Sequence, residues 1–117
     1  MTQEQIEILE RAIATFGIDQ QLKMVVEECA EVTQAICKYW RAKEGHYGKS
    51  IDEALIHLRQ EAADLAIMSH QLTLIVGGAS EINPIIEAKL ERLLPRIEKA
   101  ENAYNEAMVE ILTVERK

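Results

Sequence analysis

The chain is poor in the residues that interrupt helices. Its 117 residues include only two prolines and five glycines, too few to punctuate a run of short strands and tight turns. No stretch alternates β-branched and polar residues with a period of two, which argues against a half-buried sheet. One tryptophan, three tyrosines and one phenylalanine are the only aromatics, so few rings are available to stack on a nucleobase. The two cysteines, Cys29 and Cys37, fall eight residues apart on what reads as one helix. That spacing is about 12 Å along the axis, beyond disulfide reach, and both are expected to be reduced residues of the core. No Cys/His spacing suggests zinc. Long apolar runs are also lacking. The stretch from Leu65 to Gly78 is broken by Ser69, His70, Gln71 and Thr73 and is too short and polar to span a bilayer. The first residues lack the basic and then apolar pattern of a secretory leader, so a cytoplasmic protein with no membrane partner is expected.

What is present is acid and helix-forming residue. Lysine and arginine number 13 against 20 aspartates and glutamates, a net charge of −7. Such a chain is repelled by a phosphate backbone, and no nucleic-acid partner is expected. Hard carboxylate oxygens suit divalent cations instead. The length fits a single domain, residues 1–117. With 48% hydrophobic residues rich in Ala, Leu and Ile, the pattern predicts an all-α protein with a four-helix-bundle-like core of four to five helices.

Thr2 and Gln5 stand in capping-box spacing ahead of Ile6, Leu9, Ile13 and Phe16, and Gly17 closes this helix. Asp19 is expected to cap a second helix ending near Arg41, with a core stripe of Leu22, Val25, Val26, Cys29, Val32, Ile36 and Trp40. After a polar loop, Ser50 and Glu53 repeat the capping-box spacing. They open a helix with Leu55, Leu58, Ala62, Leu65 and Leu72 on one face, ending at Gly77 and Gly78. Asn83 followed by Pro84 reads as a cap with proline in the first turn, and Pro95 is expected to kink or break that helix. Ile97, Tyr104, Met108 and Ile111 then share one side of a last amphipathic stretch. Helices this long in so short a chain, with apolar Met24 and Ala35 outside the main stripe, predict a homo-oligomer, a dimer or a dimer-based tetramer.

The chemistry-bearing residues are two acidic clusters. Glu27, Glu28 and Glu31 form E-E-x-x-E, and Glu61 and Asp64 form E-x-x-D. On the second helix the stripe lies within roughly 80° of Leu22, whereas the three acids fall between about 140° and 240°, beside Met24, Ala35 and Lys38. Like charges at this spacing repel, and two or more Mg²⁺ ions held between facing helices would offset the repulsion. A solvated glutamate face is the plainer alternative for the first cluster taken alone. Other patterns fail. Gly45-His-Tyr-Gly-Lys-Ser lacks the first glycine of a P-loop, since Lys43 stands there, and no strand precedes it. No Glu-x-x-His pair supports a di-iron site. His57, four residues before Glu61, reads either as a surface residue or as that acid's partner.

Glu-Glu-Cys-Ala-Glu at 27–31 followed by Glu-Ala-Ala-Asp at 61–64 resembles the EExxE…ExxD signature of MazG-like, all-α nucleoside triphosphate pyrophosphohydrolases. The flanking Val26-to-Lys38 and Leu58-to-Met68 segments share the likeness. Ala88-Lys-Leu-Glu-Arg-Leu-Leu-Pro-Arg is similar to the basic stretch of phage-type members. The resemblance covers about residues 20 to 97. It implies Mg²⁺-dependent cleavage of a (deoxy)nucleoside triphosphate to the monophosphate and pyrophosphate, with two or three metal ions per site and Mn²⁺ as a substitute. It further implies Glu28, Glu31, Glu61 and Asp64 as metal ligands and Glu27 as the residue that orients or deprotonates the water. Lys38, Lys89 and Arg92 are candidates for the phosphates, against a plain solvated role. Arg96 and Lys99 share the Lys89 stripe but read as solvated. Tyr39, Trp40 and Tyr47 are the base-stacking candidates, although Trp40, being on the core stripe, reads first as core or interface packing. The competing class is a non-enzymatic helical oligomeric interaction module.

Overall fold

A computed structural model of the chain describes residues 1–46 and 48–115; Tyr47, one of the stacking candidates, lies outside them. The described residues are all-α, with no strand. There are four helices: α1 (Gln3–Phe16), α2 (Ile18–Lys43), α3 (Ile51–Ile75) and α4 (Ala79–Glu115). None is long and apolar enough to cross a membrane. Two compact units result, Met1–Gly78 and Ala79–Lys117.

The helix starts follow from local chemistry. At α1 the capping box is complete: the Gln5 N–H donates to Thr2 Oγ1 at 3.2 Å and the Thr2 N–H to Gln5 Oε1 at 2.9 Å. Ser50 opens α3 by accepting from the Glu53 N–H at 3.1 Å. The expected cap at Asp19 is displaced, because Gly17 both ends α1 and begins α2. Its φ of 90° and ψ of 155° turn the chain, a conformation that costs glycine little. Asp19 therefore lies in the first turn of α2, where the helix dipole still favours its charge.

Within Met1–Gly78, α2 and α3 pack as an antiparallel pair and α1 lies against both. The seam differs from the expected stripe. Buried on α2 are Gln21, Ala35 and Ala42, and on α3 Ala54 and Gln71. By contrast, Val26 is 69% exposed, Trp40 58% exposed, and Cys29 is exposed and free rather than a core residue. Periodicity identifies an apolar face but not the neighbour it meets. Here the small and polar face, with Gln21, Glu28, Ala35 and Ala42 recurring every seven residues, is the one turned towards α3. Small alanines let the two backbones approach closely, and much of the apolar stripe is left at the surface.

The helix α4 forms a unit of its own and buries none of its residues. It begins at Ala79 and runs through both Pro84 and Pro95, so neither the cap at Asn83 nor the break at Pro95 is present. Each proline removes one backbone hydrogen bond. The apolar residues on either side of Pro95 keep one helical phase, which a single continuous helix preserves.

Candidate metal centre

The pairing of α2 with α3 brings the two acidic clusters together. One carboxylate oxygen from each of Glu28, Glu31 and Glu61 lies within 4.8 Å of the other two. Two oxygens bound to one Mg²⁺ at about 2.1 Å can be at most about 4.2 Å apart. Adjacent octahedral oxygens are closer still, about 3.0 Å, so the set closes on one ion by a shift of the side chains or spans two ions. The expected facing of the second- and third-helix acids is realised, although their helix faces form the seam itself and not a separate surface.

The centre is electrostatically strained. Glu28 Oε2 and Glu61 Oε2 are both buried without a hydrogen-bond partner. The Glu61 side chain is only 14% exposed. Loss of solvent pushes the Glu28 carboxyl above its ordinary value, and the negative charges of Glu31, Asp64 and Glu61 push it further. Glu61 is raised by the same loss of solvent and by Glu31 and Asp64, with His57 pulling the other way. His57 Nε2 stands 3.9 Å from Glu61 Oε1, so the partner reading of this histidine has a geometric basis. Buried like charges without partners are costly, and a divalent cation relieves both the repulsion and the unpaired oxygens. Three hard anionic oxygens fit Mg²⁺ or Mn²⁺.

The other candidates divide by unit. Glu27 and Asp64 are exposed on the turns beside the three-acid group, and the charge of Asp64 is felt by both raised carboxyls. Lys38 lines a cleft of about 60 Å³ with Lys49, Glu53, Ala54 and His57. Two lysines and the Glu53 carboxylate thus share a cleft with His57, which in turn approaches Glu61, and Lys49 is a member that sequence reasoning missed. Trp40 lies further along α2, and the Lys43 ammonium stands 5.5 Å over the Tyr39 ring. Lys89 and Arg92 belong to α4, where with Leu93 and Arg96 they line a shallow hollow.

Sequence reasoning also missed the buried pair Gln21 and Gln71. The Gln71 amide donates from Nε2 to Gln21 Oε1 at 3.1 Å. The usable signal was the seven-residue step from Gln21 to Glu28, matched by the step from Asp64 to Gln71. Compared with family models, curated proteins and solved structures, the chain matches none.

Proposed function

We propose that the protein is a Mg²⁺-dependent nucleoside triphosphate pyrophosphohydrolase of MazG-like type, acting as a self-associated helical bundle. The observation that carries this reading is the convergence of Glu28, Glu31 and Glu61 from two antiparallel helices, with two buried oxygens left unpartnered. Such a set is unfavourable by itself and becomes favourable around a cation.

When bound, Mg²⁺ would supply charge neutralisation on the phosphates and acidify a coordinated water. Glu28, Glu31, Glu61 and Asp64 would hold it, with Mn²⁺ as a substitute. Glu27, exposed beside them, orients the attacking water and takes its proton. Lys38 and Lys49 flank the cleft that leads to His57, and their ammonium groups offer donors to non-bridging phosphate oxygens. His57 steadies the charge of Glu61. Attack at the α-phosphorus expels pyrophosphate and leaves the monophosphate. Lys89 and Arg92 on α4 are further phosphate-contacting candidates, and Trp40 is a stacking platform for the base.

The test is release of pyrophosphate from ordinary and deoxy nucleoside triphosphates with Mg²⁺, read after addition of an inorganic pyrophosphatase. Phosphate that appears only when pyrophosphatase is present supports the reading. Phosphate that appears without it points to a different bond, and none with any divalent ion overturns it. The second reading, a non-enzymatic interaction module, is favoured by exposed apolar residues such as Val26, Ile56 and Val114. It expects no dependence of activity or stability on the five acids.

A further inference from the structure

The continuity of α4 through Pro95 sets a second pattern in phase. Positions Leu90, Ile97, Tyr104 and Ile111 repeat every seven residues, and so do Ile86, Leu93, Ala100, Ala107 and Val114. The two series interleave at alternating spacings of three and four, as the a and d positions of a coiled coil do. Pro95 falls at f, opposite the seam, where its ring meets solvent. The seam's large residues are exposed, Leu90 at 56% and Tyr104 at 65%, and no residue of this 37-residue helix is buried. A helix carrying two internal prolines draws its stability from packing rather than from propensity.

We propose that α4 pairs with α4 of a second copy of this chain as an antiparallel coiled coil. The proposal rests on the self-association put forward above and names its face and direction. Charge decides the direction. From Ala100 to Glu115 the charged residues are Glu101, Glu106, Glu110 and Glu115, with no lysine or arginine. Lys89, Arg92, Arg96 and Lys99 all precede Ala100, where Glu81, Glu87, Glu91 and Glu98 balance them, so that stretch is neutral overall. A parallel pair sets the acidic stretches side by side, so that Glu110 against the partner's Glu115 cancels the attraction of Arg96 to the partner's Glu101. An antiparallel pair instead sets each acidic stretch against the neutral one that carries all the cations.

Charge also decides the register. With Leu90 facing the partner's Ala107, Ile97 faces the partner's Ala100 and Leu93 the partner's Tyr104. Large residues then sit opposite small ones in two layers, which interdigitates the seam. Lys89 flanks the partner's Glu110, and no like charges oppose each other at the seam edges. A slide of one heptad in one direction sets Arg96 against the partner's Arg96. A slide in the other sets Glu101 against the partner's Glu101. Both wrong registers carry a repulsion that the proposed one lacks.

The test uses the full chain with Cys29→Ala and Cys37→Ala as background. Leu90→Cys and Ala107→Cys on one helix are about 25 Å apart, so they cannot bond within a chain. On mild oxidation the double variant is expected to give a disulfide-linked dimer, while each single variant stays unlinked. Equal linking by Leu90→Cys alone overturns the antiparallel arrangement. A protein that sediments as a dimer but stays unlinked overturns the α4 pairing while leaving self-association intact, and a monomer overturns both. Because Leu90→Cys removes a seam residue, charge reversal gives an independent readout by sedimentation equilibrium. Glu110→Lys is expected to weaken the dimer about tenfold, summed over two symmetric contacts, and Lys89→Glu added to it is expected to restore the affinity. Tighter association in Glu110→Lys contradicts the proposal, because that substitution relieves a parallel pair.

Discussion

Gln71 Nε2 donates to Gln21 Oε1 at 3.1 Å across the seam of α2 and α3, joining residues 50 positions apart. Both side chains are buried, with Gln71 1% exposed. Counting two turns along each helix from this pair leads to Glu28 on α2 and Asp64 on α3, and one turn further to Glu31 and Glu61. The amide pair thus fixes the antiparallel register in which the acids face each other.

Single replacement of Gln21 by leucine strands both polar ends of Gln71, whose Oε1 already lacks a partner. A loss of about 1–3 kcal/mol in urea unfolding is expected. Gln21→Leu with Gln71→Leu removes both polar groups and should recover most of that stability, because a matched apolar replacement leaves nothing unpaired. Equal destabilisation by the single and double variants would contradict a paired role.

Raised carboxyl values at Glu28 and Glu61 make a pH prediction. A group whose value is raised on folding binds its proton more tightly in the native state than in the unfolded chain. Its stabilising contribution is full below the ordinary value of 4.5 and is lost as pH rises through the higher folded value. The metal-free protein should therefore melt at lower temperature at pH 8 than in mild acid, with EDTA present throughout. Glu61→Gln should flatten that decline, and an unchanged slope in this variant would count against the strained centre.

Mg²⁺ should reverse the trend. A cation bound only by the native state adds about 2.7 kcal/mol at a hundred times its dissociation constant, which is several degrees in the melt of a chain this size. The rise is expected in wild type at pH 8 and is expected to vanish in Glu31→Ala. The same rise in Glu31→Ala would place the ion elsewhere.

The all-α class, the Thr2 and Ser50 starts and the meeting of the two acidic clusters were legible in the sequence, because each depends on chemistry within a few residues or on a repeated motif. The seam was not. An apolar stripe on α2 advertises burial, yet Ala35 is fully buried while Val26 is exposed. The helix faces that meet are chosen by backbone approach and by the Gln21–Gln71 pair, both of which depend on residues far apart in sequence. Pro95 misled for a related reason: a local cost marks a boundary only if the surrounding residues do not favour one continuous helix.

Among the acids, the proposed roles separate. Glu27→Gln keeps its shape and lies outside the three-acid group, so it should retain the Mg²⁺-induced rise in melting temperature and lose turnover. Asp64→Ala should weaken both, while its helical circular dichroism persists. A Glu27→Gln protein with full activity would remove Glu27 from the proposed chemistry.

The most direct test of the central claim is Mg²⁺-dependent turnover in wild type beside Glu61→Ala, with products separated by ion exchange. The account predicts that wild type converts a nucleoside triphosphate to the monophosphate and pyrophosphate, and that Glu61→Ala, still helical, loses this activity by at least about a hundredfold. Hydrolysis by Glu61→Ala at the wild-type rate, or a diphosphate and phosphate as the products, would contradict it.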